Sequence, residues 1–264
     1  MPTSLLLDLQ TLLITMALVV PRTLVCLLIL PGFGTRTLTG MARNGVALAI
    51  ALPAALPTFL FVQASPPDYF IAGMLILKET VIGALLGILL SIPAWVAQSI
   101  GAILDAQRSP IQIPNNNASL DQDATPLGGM LVQAVMLVMI QAGLFTALTR
   151  ILIESYGTWP VFHLLPPFET GHFDVFIKRI GHFFWHIVVY GGPVLIPLML
   201  IDFGFAILGA FASNLQVSFA SSPIKSVAGL FILLVYWPVF SHYVAGDFAS
   251  LLDLAASLMQ VGPR

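Results

Sequence analysis

Charge is what this sequence has least of. Only 8% of its 264 residues are Asp, Glu, Lys or Arg, against about a quarter in a soluble globular domain. So few charges could not hydrate the surface of an ordinary soluble fold, and that class is excluded. Basic residues show no excess: ten Lys and Arg stand against twelve Asp and Glu, a formal net charge of −2. Without a basic face to neutralise phosphates, a nucleic-acid partner is excluded too. The single cysteine, Cys26, rules out an internal disulfide. Catalytic signatures are also missing. There is no nucleophile elbow, phosphate loop or paired-carboxylate arrangement, and neither enzyme activity nor a cofactor has support.

What is present is apolar length. Hydrophobic residues make up 58% of the chain and the mean hydropathy is +0.97, which defines an all-α integral membrane protein of several spans. A crossing needs about 20 mostly apolar residues. About six hydrophobic helical segments satisfy or approach this, several of them expected to be kinked or broken. The first, 9–30, is interrupted by Pro21 and Arg22. No positive n-region precedes it and Asp8 lies at its edge, so it is expected to be a retained span and not a cleaved signal. A turn-rich connection with Arg36 and Arg43 leads to 46–62, where Pro53 and Pro57 should bend the helix. The stretch 69–104 is too long for one simple crossing, and predicts a tilted or broken helix or a short segment before a full span. The remaining segments are 127–153, 182–212 with Pro193 and Pro197, and 227–244. An amphipathic tail from Asp247 follows, within 247–264. All of this reads as one membrane domain, 1–264. Lys and Arg are spread over alternate loops, so orientation is not determined.

The longest polar run is 105–126, DAQRSPIQIPNNNASLDQDATP, with a second polar connection at 154–181 and a polar turn at 213–226. Between hydrophobic helices, an irregular polar segment is tolerated only where protein buries it or where it lines a water-filled path. The loop 105–126 is therefore either a solvated connection or a segment held in a passage.

Charges inside apolar stretches are the other candidates. Lys78 and Glu79 stand together in 69–104, and Asp202 lies midway through 182–212. A mid-bilayer charge faces protein or water, so these residues are read either as a proton or ion site or as docking and packing groups. Adjacent residues do not share a helix face, which predicts separate partners for Lys78 and Glu79. His182 and His186 have the i, i+4 spacing of two metal ligands, but no third ligand stands nearby, and an interfacial aromatic belt suits them better. Gly83 and Gly87 form a GxxxG, a pattern for close helix approach. Asn117 heads a glycosylation sequon of the kind that arises by chance.

Together these residues resemble a known family. Lys78-Glu79, Gly83, Gly87, then Gly101 through Asp105 to Gln107-Arg108 are similar to the KE…G…G…G…D.QR core of the FliR/YscT/HrcT/SpaR family. These are the T-type (flagellar R-type) inner-membrane components of the type III secretion export apparatus. The second half agrees: Pro193 to Asp202, Asn214-Leu215-Gln216-Val217 and Ser222-Pro223-Ile224-Lys225-Ser226 resemble the family's P…D…QLNVF…PIKS pattern. The order Asn214 then Gln216 departs from the usual Gln-Leu-Asn. The Pro-Ile-Lys-Ser form and the Asn-rich loop favour the injectisome branch over the flagellar one.

The resemblance implies a non-enzymatic subunit of the bacterial inner membrane, similar to a fusion of the R-type and S-type export gate subunits. It would form the pore entrance with them, near a U-type switch protein and a V-type ring, and pass unfolded secreted proteins. The loop 105–126 would plug the closed pore, through Asp105, Gln107, Arg108, Pro110, Gln112, Pro114, Asn115, Asn116, Asn117, Asp121 and Asp123. Lys78, Glu79, Asp202 and Lys225 would be intramembrane assembly charges, Gly83, Gly87 and Gly101 packing sites, and Asn214, Gln216 and Pro223 a partner-contact turn. The alternative is a proton- or ion-coupled secondary transporter using Lys78, Glu79 and Asp202.

Overall fold

A computed structural model describes residues 2–34, 39–108, 125–164, 171–211 and 217–260. Every regular element among them is an α-helix: α1 (Pro2–Ile29), α2 (Gly40–Ala64), α3 (Tyr69–Arg108), α4 (Pro126–Gln141), α5 (Leu144–Thr158), α6 (Gly171–Phe211) and α7 (Val217–Gln260). Five helices are long and apolar enough to cross a membrane, or up to six if α4 and α5 together count as one bent span. The chain is an all-α, multi-pass membrane protein, as its composition requires.

Several boundaries differ from those expected. Pro21 and Arg22 do not interrupt α1; the helix continues through both, and Arg22 is fully buried and hydrogen-bonded within it. The long apolar stretch is one unbroken helix of 40 residues, α3, with Pro93 inside it. The expected span 127–153 is instead divided: α4 and α5 meet at an angle of 73°. Gly143, at φ +94°, supplies the left-handed residue between them, a conformation an L side chain rarely adopts. The polar stretch 154–181 is shared out, its first residues closing α5 and its last opening α6. Glu154 fits there because it pairs with Arg150 one turn back on an exposed helix face, 2.7 Å away. Of the polar turn 213–226, residues 217–226 begin α7, which then runs without a break through the expected tail to Gln260.

The helices fall into two compact units. One comprises Met1–Ser91, Ile140–Phe176 and Phe248–Arg264; the other comprises Ile92–Met139 and Ile177–Asp247. In the first, α2 packs against α1 and α5. Its inner face carries Ala47, Ala51 and Ala55 at four-residue spacing, small enough for close backbone approach. Thr23 Oγ1 uses that closeness to donate to the Ala47 carbonyl at 3.1 Å. The core beside it is Leu18, Val19, Ala51, Val62, Leu75, Tyr156 and Val161. In the second unit Ile100, Leu104, Val135, Val194, Leu198, Phe240 and Val244 are buried.

Candidate functional site

Glu79, Gly83, Gly87 and Ser91 recur every four residues, which sets them on one face of α3. That face lies along α1. A β-carbon on Gly83 would collide with the Arg22 carbonyl, and one on Gly87 would sit 3.0 Å from both the Cys26 oxygen and the Ile29 side chain. Ser91 closes the row by donating to the Ile29 carbonyl at 3.3 Å and to the Gly87 carbonyl at 2.6 Å. A side chain at either position would force α1 and α3 apart here, and the close approach brings Glu79 against α1.

There Glu79 meets Arg22. The guanidinium donates from Nε to Oε2 at 2.7 Å and from Nη2 to Oε1 at 3.0 Å, with both side chains fully enclosed. Arg22 also donates to Ser155 Oγ at 3.0 Å and to the Trp159 carbonyl at 2.9 Å, and its guanidinium lies 4.2 Å from the centre of the Tyr156 ring. Lys78 does not go its own way, as a strict reading of helix faces would have it. Its long stem lets Nζ reach Glu79 Oε1 at 2.8 Å as well as the carbonyls of Pro160, Val161 and His163 at 3.1, 2.8 and 3.2 Å. One carboxylate and two cations thus fasten α1, α3, α5 and the turn after α5. Both Glu79 oxygens are occupied and neither faces water, so the arrangement is a structural clasp. It offers no open proton or ion site, and the transporter reading finds no support.

The second unit holds the base of the polar loop. Asp105 Oδ2 accepts the Leu127 N–H at 2.8 Å, capping the first turn of α4 from the last turns of α3. Beside it, a β-carbon on Gly101 would lie 2.6 Å from the Gly128 nitrogen, and one on Gly128 would lie 3.1 Å from the Gln98 carbonyl. Residues 105 and 127 are therefore neighbours, and the expected loop 105–126 is shorter than its sequence bounds, since 105–108 complete α3 and Pro126 opens α4. Gln107 is half-buried there. Pro110, Gln112, Pro114, Asn115, Asn116, Asn117, Asp121, Asp123 and the Arg108 side chain lie outside the described residues, as do Asn214 and Gln216. Pro223 is exposed inside α7.

Asp202 and Lys225 form a pair of their own, Nζ to Oδ1 at 2.7 Å, with the lysine buried and the carboxylate 41% exposed. His186 turns Nδ1 to Asp247 Oδ2 at 3.1 Å, and the same oxygen accepts the Tyr190 hydroxyl at 2.6 Å. The rings of His186 and Tyr190 stack 5.0 Å apart. Among the described residues no group of His, Cys, Asp and Glu is placed to hold a metal ion. Sequence reasoning missed Arg22, Ser155, Tyr190 and Asp247 as site residues. Arg22 had a usable signal, a charge inside an apolar run; the others had none.

Fold and site together define a multi-pass helical membrane protein clasped by buried ion pairs, with α3 and α4 joined where Asp105 caps Leu127. The model for the family "Bacterial export proteins, family 1" matches residues 13–251, and the chain belongs to that family. It is 32% identical over 250 residues to the Yop proteins translocation protein T of Yersinia pestis, covering 94% of this chain and 95% of the relative. It is 28% identical to the surface presentation of antigens protein SpaR of Salmonella typhimurium, over 79% and 77% of the two chains. The secretion system apparatus protein SsaT of the same organism is 27% identical, over 88% and 90%. These relatives bear out the resemblance read from the motifs, on its injectisome side.

Proposed function

We propose that this chain is the T-type subunit of a type III secretion export gate in the bacterial inner membrane, where it forms the pore entrance with R-type and S-type subunits. Its role is non-enzymatic: it holds a path for unfolded protein and closes it. The U-type switch protein and the V-type ring are the neighbours this role calls for. The observation that carries the reading is the end-to-end match to export proteins, from residue 13 to residue 251.

The plug belongs to the same reading. The loop 105–126 is polar and proline-broken, so lipid cannot solvate it, and Asp105 and Leu127 join its two ends. A segment tied at one base can enter and leave a channel without disturbing the helices that bear it. The test is ion leak through membranes carrying the chain with its R-type and S-type partners, comparing the intact loop with a deletion of residues 112–124. Leak from the assembled deletion and none from the intact complex supports the plug. A deletion that assembles and stays tight makes the loop a surface connection.

A further inference from the structure

Arg43 is a buried cation with no counter-ion among the described residues. Arg22, Lys78 and Lys225 each reach a carboxylate. Arg43 is only 9% exposed, and its Nε and Nη1 atoms are enclosed with no hydrogen-bond acceptor among the described residues. Enclosing a guanidinium without acceptors is among the most unfavourable things a fold can do with a side chain. An anion from outside the chain would offset the charge through Nη2, which is not one of the two enclosed atoms.

The surroundings say where that anion would sit. Arg43 stands in the first turn of α2, where Thr39 caps the helix: its Oγ1 accepts the Ala42 N–H at 3.4 Å and its carbonyl accepts the Arg43 N–H at 3.1 Å. The Arg43 side chain folds back toward this end. Nη2 lies 4.0 Å from the position a β-carbon on Gly40 would take. The guanidinium and the positive end of the helix dipole therefore converge on one spot. Thr39 and Gly40 are exposed, so that spot opens to the outside.

Depth selects the anion. The span Gly40–Ala64 has 25 residues; at about 1.5 Å of rise each it is roughly 37 Å long, against about 30 Å of hydrocarbon. Its first turn therefore extends into the headgroup layer, where phosphate is the abundant anion. A phosphodiester presents two oxygens from one centre, which matches the fork of a guanidinium better than a point cation. We propose that Arg43 and the N-terminus of α2 form a binding site for the phosphate of a membrane lipid.

The test uses the full chain in detergent micelles, with lipid retention read by native mass spectrometry and stabilisation read by heat unfolding. Phosphatidylglycerol should be retained and should raise the unfolding temperature, while diacylglycerol of the same acyl chains should do neither. Arg43→Gln should weaken phosphatidylglycerol binding about tenfold, the loss of one charge-assisted contact. Should Arg43→Gln not fold, Arg43→Lys keeps the charge, loses the fork and should bind several-fold more weakly. Retention that is equal in the folded variants and the parent overturns the site. So does equal stabilisation by diacylglycerol. If inorganic phosphate alone reproduces the stabilisation, the lipid is overturned as the source. Loss of a co-purifying subunit from Arg43→Gln, with no lipid bound to the parent, also overturns it, in favour of a partner's carboxylate.

Discussion

Arg22 and Glu79 meet along two parallel contacts inside the membrane domain, at 2.7 and 3.0 Å, and Lys78 reaches the same carboxylate from the neighbouring position. The cluster holds two cations and one anion, and that imbalance orders the effects of removing each. Glu79→Gln leaves two enclosed cations facing each other and should be the most damaging, by roughly 3–5 kcal/mol. Arg22→Met leaves Glu79 with Lys78 and should cost less. Lys78→Met leaves a neutral Arg22–Glu79 pair and frees three carbonyls, and should be the mildest, about 1–3 kcal/mol. Heat unfolding of the three variants in detergent gives the order. If Lys78→Met proves the worst, the hold on the Pro160–His163 carbonyls outweighs charge balance.

The packing face of α3 gives a second ordering. Gly83→Ala places a methyl where the Arg22 carbonyl stands, and neither backbone can yield without parting α1 from α3. The expected loss is about 1–3 kcal/mol, the usual range for overpacking. Gly73→Ala on the same helix meets nothing within 4 Å and should change stability by less than about 0.5 kcal/mol. Equal behaviour of the two in an unfolding series would mean that α1 and α3 are not in contact at Gly83.

Much of this was legible in the sequence, but not the connections. Apolar length alone gave the helical membrane class. Glu79, Gly83 and Gly87 were each visible, and their four-residue rhythm, continued by Ser91, could have been read as one face. Its partner could not, because Arg22 lies 57 residues away and nothing local to either residue encodes the meeting. The division between α4 and α5 was hidden for another reason. Apolar residues flank Gly143 on both sides, and hydropathy cannot tell a glycine within a helix from one at φ +94°. Proline overstated one boundary, the interruption expected at Pro21. Pro21, Pro53, Pro57 and Pro93 all lie inside continuous helices, since tertiary packing in a membrane domain outweighs one missing donor.

Gly143 itself supports a prediction with a single cause. Nothing lies within 4 Å of where its β-carbon would be, so substitution is opposed by the positive φ alone. Gly143→Ala should cost about 1–3 kcal/mol, the range for a non-glycine residue held in the left-handed region. Gly143→Asn should recover part of that, because asparagine visits the region more readily. Equal losses for Ala and Asn in heat unfolding would show that the bend at Gly143 is not what the substitution disturbs.

The base of the 105–126 loop links stability to gating most directly. Asp105→Ala removes the acceptor of the Leu127 N–H and should cost about 1 kcal/mol, as for a lost helix cap. Asp105→Asn keeps an oxygen there and should cost only a few tenths. Hydrogen exchange at the Leu127 amide should quicken in the alanine variant and not in the asparagine one. Gly101→Ala acts on the same base by steric means, since its new methyl would meet the Gly128 backbone. If the loop is a plug, loosening its base while leaving residues 112–124 intact should raise ion leak through the assembled complex, more for Gly101→Ala than for Asp105→Asn. Faster exchange at Leu127 without any leak would separate the two functions: the base would then serve only to start α4, and closure of the pore would have to rest on residues beyond it.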